Sequence, residues 1–295
     1  MSKLFIGTSG WVYEDWWERF YSIDTKPDQR LEYYSKRFDT VELNASFYHL
    51  PRKKTFENWS KKTPYSFSFS VKLSKYITHN LKLKNVKEPL ALFLQEAKGL
   101  GNKLSVVLVQ LPPNFKRDLE RLENFLKTVA EVAFQQFGSA PNPPRMTRSA
   151  RNGASANQSL PAPRSFSEAG VLMEPHKLER LPATQPRFAF EFRHESWLVE
   201  EIYNLLRKYK AGFVIQDSAG RWPAAEVVTS DFVYLRFHGP DVLYSSNYTK
   251  NILKEWAEKI EKWLEEGLDV YAYFNNDVSA YAIKNALALK EFISR

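Results

Sequence analysis

The chain has 295 residues, of which 43% are hydrophobic and 15% aromatic, enough for one large core or two ordinary domains. It has no cysteine, which excludes disulfides, a thiolate nucleophile and cysteine-held zinc or iron–sulfur centres. The net charge is +8, but seven basic residues against three acidic ones in residues 135–187 supply +4 of it, so the remaining body is only mildly basic.

Eight short apolar runs, each ending in a polar cluster, divide the chain. The first is FIGTSGW from Phe5, followed by a helical pattern over Asp28–Phe38. The second and third are TVELNASFY from Thr40 and SFSFSVKL from Ser66. A helical pattern over Leu90–Leu100 precedes the fourth, LSVVLVQLP from Leu104, and another over Asp118–Ala133 follows it. Residues 135–187 then break the rhythm, with eight of the sixteen prolines and no period of 2 or 3.6. Such a composition cannot bury enough apolar surface to offset chain entropy, so it reads as a disordered, low-complexity insertion or a gene-level artefact of translation.

The fifth run, FAFEFRH from Phe188, leads into a helical pattern over Ser196–Tyr209 with Ser196 as its N-cap. GFVIQD from Gly212 and FVYLRFHG from Phe232 follow as the sixth and seventh. The amphipathic stretch Thr249–Glu266 carries Ile252, Trp256, Ile260 and Trp263 at helical spacing, with Gly267 as its stop. The eighth run, DVYAYFNND from Asp269, precedes a closing helix over Ser279–Ser294. Strand-length runs alternating with helices predict α/β architecture with a parallel sheet, and eight of them predict a single (β/α)8 TIM barrel over residues 1–295, with the insertion between strands 4 and 5. No run approaches the length of a membrane span. Met1 leads almost directly into the first strand without a signal pattern, so a cytoplasmic location is expected.

Strand residues alternate between faces, and in a barrel the outer face meets the helices. The apolar set therefore points out and the polar set points in. This places Glu42 and Asn44 (second strand), Lys72 (third), Gln110 (fourth), Glu191 and Arg193 (fifth), Arg236 and His238 (seventh) and Asn275 (eighth) inside, near the C-terminal mouth where barrels of this kind carry their sites. The sixth run is ambiguous, because Gln216 and Asp217 have opposite parity; Asp217 is placed near the mouth.

So many interior charges are costly unless paired. They form either a structural ion-pair network or a polar pocket. In the pocket reading, Lys72, Arg193 and Arg236 hold an anion, Glu42 or Glu191 moves a proton, and His238 and Asp217 assist. Asn44, Gln110, Asn275, Trp11 and Tyr248 complete the ligand contacts, the aromatics by stacking. Glu191, Asp217, His238 and Asp277 end successive strands as metal ligands do on this fold, but Arg193 and Arg236 in the same layer would repel a cation, so no metal or other cofactor is expected. GTSGW lacks the Lys-Ser/Thr of a phosphate-binding loop, and no GxSxG elbow is present.

The segments IGTSGWVYEDWW, FDTVELNASFYHLP, FSVKLSKYITH, VLVQLPPNF, FEFRHESW, QDSAGRWP, YLRFHGP, LYSSNYT and YFNNDVSAYAIKNALALKEF resemble the signature segments of the YecE-like family, domain of unknown function 72. The resemblance spans residues 1–134 and 188–295 in order. It implies a TIM barrel distantly related to xylose isomerase-like barrels and endonuclease IV, with a much shorter connection where residues 135–187 lie, and it supplies no activity. The histidine-rich metal set of endonuclease IV is missing. The expected function is binding of, or hydrolase, lyase or isomerase chemistry on, a phosphorylated or sugar-like small molecule. A nucleic-acid-binding or phosphodiester-processing protein and a non-catalytic interaction protein are the alternatives. Nothing in the sequence sets the oligomeric state.

Overall fold

The structure is a computed structural model that describes residues 2–138 and 185–293. Eight strands form one parallel sheet: β1 (Leu4–Thr8), β2 (Thr40–Leu43), β3 (Ser68–Lys72), β4 (Leu104–Gln110), β5 (Arg187–Glu191), β6 (Gly212–Asp217), β7 (Phe232–Phe237) and β8 (Asp269–Phe274). The ladder order is β1-β8-β7-β6-β5-β4-β3-β2, so the sheet curls into a nearly closed barrel whose seam lies between β1 and β2.

No ladder crosses that seam. The Tyr34 hydroxyl bridges it: it accepts from the Thr8 backbone N–H (2.9 Å) and donates to the Thr40 carbonyl (3.0 Å). The two strands come this close because position 7 is glycine; a Cβ there would overlap the carbonyl oxygen of Thr40.

Apolar residues on the inward faces plug the lower barrel. Phe5, Val106, Leu108, Ala189, Val214, Phe232, Tyr234, Tyr271 and Tyr273 pack as one cluster. The outward set, including Val41, Leu43, Phe69, Val71, Phe190, Phe213, Leu235 and Phe237, belongs to the larger cluster shared with the helices. The alternation read from the runs is therefore the alternation of the barrel wall.

Helices Arg30–Ser35, Lys87–Ala97, Leu119–Phe137, Glu200–Lys208, Lys250–Glu265 and Tyr281–Ile293 lie where helical patterns were expected. Several boundaries differ. Leu119–Phe137 starts at its N-cap Asp118, whose carboxylate accepts from Arg121 N–H (3.0 Å), and runs four residues past Ala133. It does so because Phe137 is still buried, and it ends where Gly138 turns left-handed at φ 70°. Residues 135–137 are thus helix and Arg187 is strand, so the expected insertion was drawn too wide at both ends; the disorder reading concerns 139–184, outside the described residues.

Ser196 is not a helix N-cap. It sits in a single 3-10 turn, Glu195–Trp197, where its hydroxyl accepts from Arg117 N–H (2.8 Å), and the following helix starts only at Glu200 after an extended Val199. Strand β3 starts at Ser68 rather than Ser66, because Phe67 N–H is spent on a turn to Pro64 O. The second run is strand only to Leu43; its second half, Ala45–Tyr48, is a helix, and a further helix, Lys53–Lys61, had not been expected between the second and third runs.

Candidate functional site

The inward polar residues meet at the C-terminal end of the barrel around one guanidinium. Arg236 is 1% exposed. Its Nε and Nη2 donate to Glu42 Oε2 (3.0 Å) and Oε1 (2.7 Å), and its Nη1 donates to Glu191 Oε2. Glu42 is further held by Ser9 Oγ (2.7 Å) and the Tyr234 hydroxyl (2.8 Å). Glu191 Oε1 accepts from Arg193 Nε (2.7 Å). Both carboxylates are wholly buried, so this forked geometry compensates their desolvation.

The pairing sets the protonation of its members. Burial alone would raise the Glu191 carboxyl, but the charges of Arg236 and then Arg193 outweigh it and hold it well below the usual carboxylate range. Glu191 is therefore an anion at neutral pH with no proton to give. Arg236, expected to hold a ligand anion, has its fork filled by Glu42 and Glu191 instead. The structural network weighed against the pocket reading exists at the level of Glu42, Arg236 and Glu191.

His238 caps the network. Its Nε2 lies 3.4 Å from Arg236 Nη1 and its Nδ1 lies 3.1 Å from the Asn275 side-chain amide. Burial, then the Arg236 charge, push the imidazole well below its ordinary value, so it is neutral. Both neighbours are nitrogen donors, and a neutral imidazole accepts at only one ring nitrogen, so His238 accepts from one of the two. Trp222 and Tyr244 stand over His238 at 5.3 and 5.6 Å between ring centroids, and the Arg193 guanidinium lies 3.6 Å from the Trp222 ring centroid. Two aromatics from the loops after β6 and β7 thus cover the mouth.

The two aromatics assigned to ligand contact, Trp11 and Tyr248, are engaged with neighbouring protein groups. Trp11 packs edge-on against Trp59 at 5.4 Å and accepts at its carbonyl from Tyr21. Tyr248 is 2% exposed, packs on Phe237 and Phe274, and uses its hydroxyl on Gly239 N–H and Asp217. Asp217 is drawn to that same contact. Val214 belongs to the interior cluster, so parity turns Gln216 inward and Asp217 outward. Burial raises the Asp217 carboxyl, but Asp217 is joined to the ion-pair network by no hydrogen bond or ion pair among the described residues. This resolves the ambiguity of the sixth run in favour of Gln216.

Above the network, acceptors lack donors. Asn44 Oδ1, Gln110 Oε1, Gln216 Oε1 and Asp277 Oδ1 are buried and have no hydrogen-bond partner among the described residues. They come from the ends of β2, β4, β6 and β8. Burial keeps the Asp277 carboxyl well above its ordinary value, against its hydrogen bond with Tyr13. Lys72, 9% exposed at the end of β3, has its ammonium 4.2 Å from the Phe47 ring centroid, and burial followed by the Arg236 charge lower it to about 7. Among the described residues no group of three or more His, Asp or Glu is placed to hold a metal ion.

No role is assigned to His79 from the sequence. It lies on a π-helical turn, Tyr76–Asn80, packed edge-on to Phe47 at 5.0 Å. Single π turns often occur at functional sites. The next residues deepen the oddity, because Lys82, Leu83 and Asn85 all have positive φ, at 46°, 68° and 49°. The turn also borders a groove of about 720 Å³ lined by Phe47, Tyr48, Leu50, Tyr76, Leu92 and others. No periodicity signals such a turn; only the run of hydrogen bonds shows it.

Eight parallel strands, interleaved helices and a polar site at the strands' C-terminal ends define a TIM-barrel-like protein. More narrowly, the chain belongs to the family described as protein of unknown function DUF72, whose match covers residues 5–295. It is 24% identical to the UPF0759 protein YunF of Bacillus subtilis, across 98% of this chain and 94% of that one. It is 27% identical to the UPF0759 protein YecE of Escherichia coli K12 over 45% of this chain and 50% of that one. Among solved structures, a DUF72 family protein from Thermotoga maritima superposes with a TM-score of 0.73 at 26% identity, covering 99% of this chain and all of the other. One from Enterococcus faecalis gives 0.71 at 18% identity, over 99% of this chain and 96% of that one, and shows the fold alone.

Proposed function

We propose that the barrel mouth binds a small anionic, hydroxyl-rich molecule of the phosphorylated or sugar-like kind. The observation that carries this reading is the set of four buried, donorless oxygens at Asn44, Gln110, Gln216 and Asp277. A buried acceptor left unpaired costs about 1–3 kcal/mol, so four in one mouth favour a ligand rich in donors. The anion's place is beside Arg193 and Lys72. Arg193 spends Nε on Glu191 and makes no other hydrogen bond among the described residues, which leaves its Nη groups free for a forked contact. Arg236, by contrast, supports the carboxylates from below. Trp222 and Tyr244 supply flat apolar faces for a sugar ring.

The test is titration of the purified protein with inorganic phosphate, glucose 6-phosphate, ribose 5-phosphate and glucose by calorimetry. Saturable binding of a sugar phosphate is expected. Arg193→Gln and Gln110→Leu should each weaken it roughly ten-fold or more, the worth of one good hydrogen bond to a charged or buried group. No binding at millimolar concentration, or affinity unmoved by both substitutions, would overturn the reading. Short DNA and RNA belong in the same screen: tight binding with a steep salt slope would transfer the site to nucleic acid instead.

A further inference from the structure

Lys72 stands out among the basic groups of the mouth. Among the described residues no hydrogen bond or ion pair engages its Nζ, although Glu42 and Glu191 act on it electrostatically. Those carboxylates accept from other groups: Glu42 from Ser9, Tyr234 and twice from Arg236, Glu191 from Arg236 and Arg193. A buried ammonium that is denied a carboxylate and held against the Phe47 ring is poorly stabilised, while a neutral amine in the same place costs little.

His79 completes the arrangement. It meets the Phe47 ring at 5.0 Å, the same ring that Lys72 faces. We assign the Thr78 hydroxyl hydrogen to Ser74 O (3.1 Å), so that the hydroxyl accepts at its 2.8 Å contact with His79 Nδ1. The hydrogen of the neutral imidazole therefore sits on Nδ1, and Nε2 carries a bare lone pair with no hydrogen-bond partner among the described residues. Burial, then the charges of Lys72, Arg193 and Lys75, keep this ring unprotonated down to about pH 4. A free amine and a free imidazole base share one aromatic wall at the mouth.

We propose that Lys72 captures an aldehyde or ketone carbon of its ligand as a covalent imine, with His79 relaying the protons. This rests on the mouth being a small-molecule pocket and narrows its ligand to one bearing a carbonyl. The Lys72 lone pair attacks the carbonyl carbon, the C=O π pair moves onto oxygen, and His79 Nε2 carries one proton from the new ammonium nitrogen to that oxygen, giving a neutral carbinolamine. His79 Nε2 removes a proton from the nitrogen of this carbinolamine and returns it to the hydroxyl. The oxygen departs as water and a C=N bond forms, so one amine and one carbonyl give one imine and one water. The imine is then open to hydrolysis or to further proton transfer.

The experiment uses the intact chain, glyoxylate as a small anionic aldehyde, and cyanoborohydride to reduce any imine to a stable amine. Peptide mass spectrometry follows the adduct at each lysine. At pH 7 an amine titrating near 7 is on the order of a thousand-fold richer in free base than an ordinary lysine. Allowing for lower nucleophilicity and burial, Lys72 should still be labelled roughly ten-fold or more faster than exposed Lys54, with a rate midpoint near pH 7. Inorganic phosphate should slow labelling at Lys72 and leave Lys54 untouched. His79→Gln should slow the Lys72 adduct by about 10²-fold at unchanged Lys54 labelling. Labelling of Lys72 no faster than Lys54 would overturn the imine, and an unchanged rate in His79→Gln would overturn the relay. The wild-type measurement decides even if a variant fails to fold. Sugar-phosphate binding without an adduct would leave the pocket reading standing and remove the imine; an adduct without sugar or phosphate binding would do the reverse.

Discussion

Replacing Tyr34 by Phe tests how the barrel closes. The substitution removes one oxygen and keeps the ring, which packs against Phe38 at 4.8 Å between centroids and is fully buried. The loss strands the Thr8 N–H and the Thr40 carbonyl, two main-chain groups at a seam with no ladder to replace the bridge. The Thr8 hydroxyl, 2.9 Å from Tyr34 Oη, also donates to Gly10 O and so keeps a partner. Each stranded group costs about 1–3 kcal/mol, and relief from burying the phenol hydroxyl offsets part of that, leaving roughly 2–5 kcal/mol of lost stability. At about 2–4 °C per kcal/mol for a chain of this size, the midpoint should fall by on the order of 10 °C. Urea unfolding followed by far-UV circular dichroism should show a lower midpoint at an unchanged slope. Amide exchange at Thr8 should accelerate ahead of the neighbouring strands. A loss under about 0.5 kcal/mol with Thr8 still protected would show that the strands hold together without the phenol, and the account of closure would be wrong.

Three further predictions concern the same end of the barrel. Gly7→Ala should destabilise at least as much as Tyr34→Phe, because its Cβ meets the Thr40 carbonyl, and thermal melting of the two variants compares them directly. Arg236→Met leaves buried Glu42 without a cationic partner and Glu191 with Arg193 alone, a loss of about 3–5 kcal/mol; a variant melting within a degree or two of wild type would contradict the buried network. The third is a pH dependence. Lys72 titrates near 7 when folded and near 10.5 when unfolded, so between those values the unfolded chain binds the extra proton and stability rises with pH. Its unfavourable contribution, roughly 4–5 kcal/mol, is complete below pH 7 and vanishes above 10.5. The stability difference between wild type and Lys72→Met should therefore shift in favour of wild type as pH rises through that window, and a constant difference would refute the lowered Lys72. His79 and Glu191, both held below their ordinary values, add losses in the acid range: the first as pH falls from 6.5 toward 4, the second as it falls below the ordinary carboxylate value.

The sequence by itself determined the eight strands, their order as a barrel and the inward placing of Glu42, Lys72, Gln110, Glu191 and Arg236. The reason is that period-2 alternation is a local property: one face must meet apolar helices, so parity assigns each side chain wherever the run is regular. It failed where parity is silent. In β6, Gln216 and Asp217 are both polar, and only the packing of Val214 inside the barrel decides which faces in. Loop aromatics carry no parity at all, so nothing in the chain announces that Trp222 and Tyr244 stand over His238. Charge pairing was equally out of reach. That Arg236 is saturated and Arg193 is not depends on hydrogen bonds between residues 45 and 194 positions apart in the chain. The Lys72–Phe47–His79 arrangement needs a π turn that no spacing announces, and the bridge at Tyr34 depends on a glycine one strand away. Local chemistry sets the elements, whereas partner choice among buried polar groups is decided only when the closed barrel brings distant strand ends within hydrogen-bond reach.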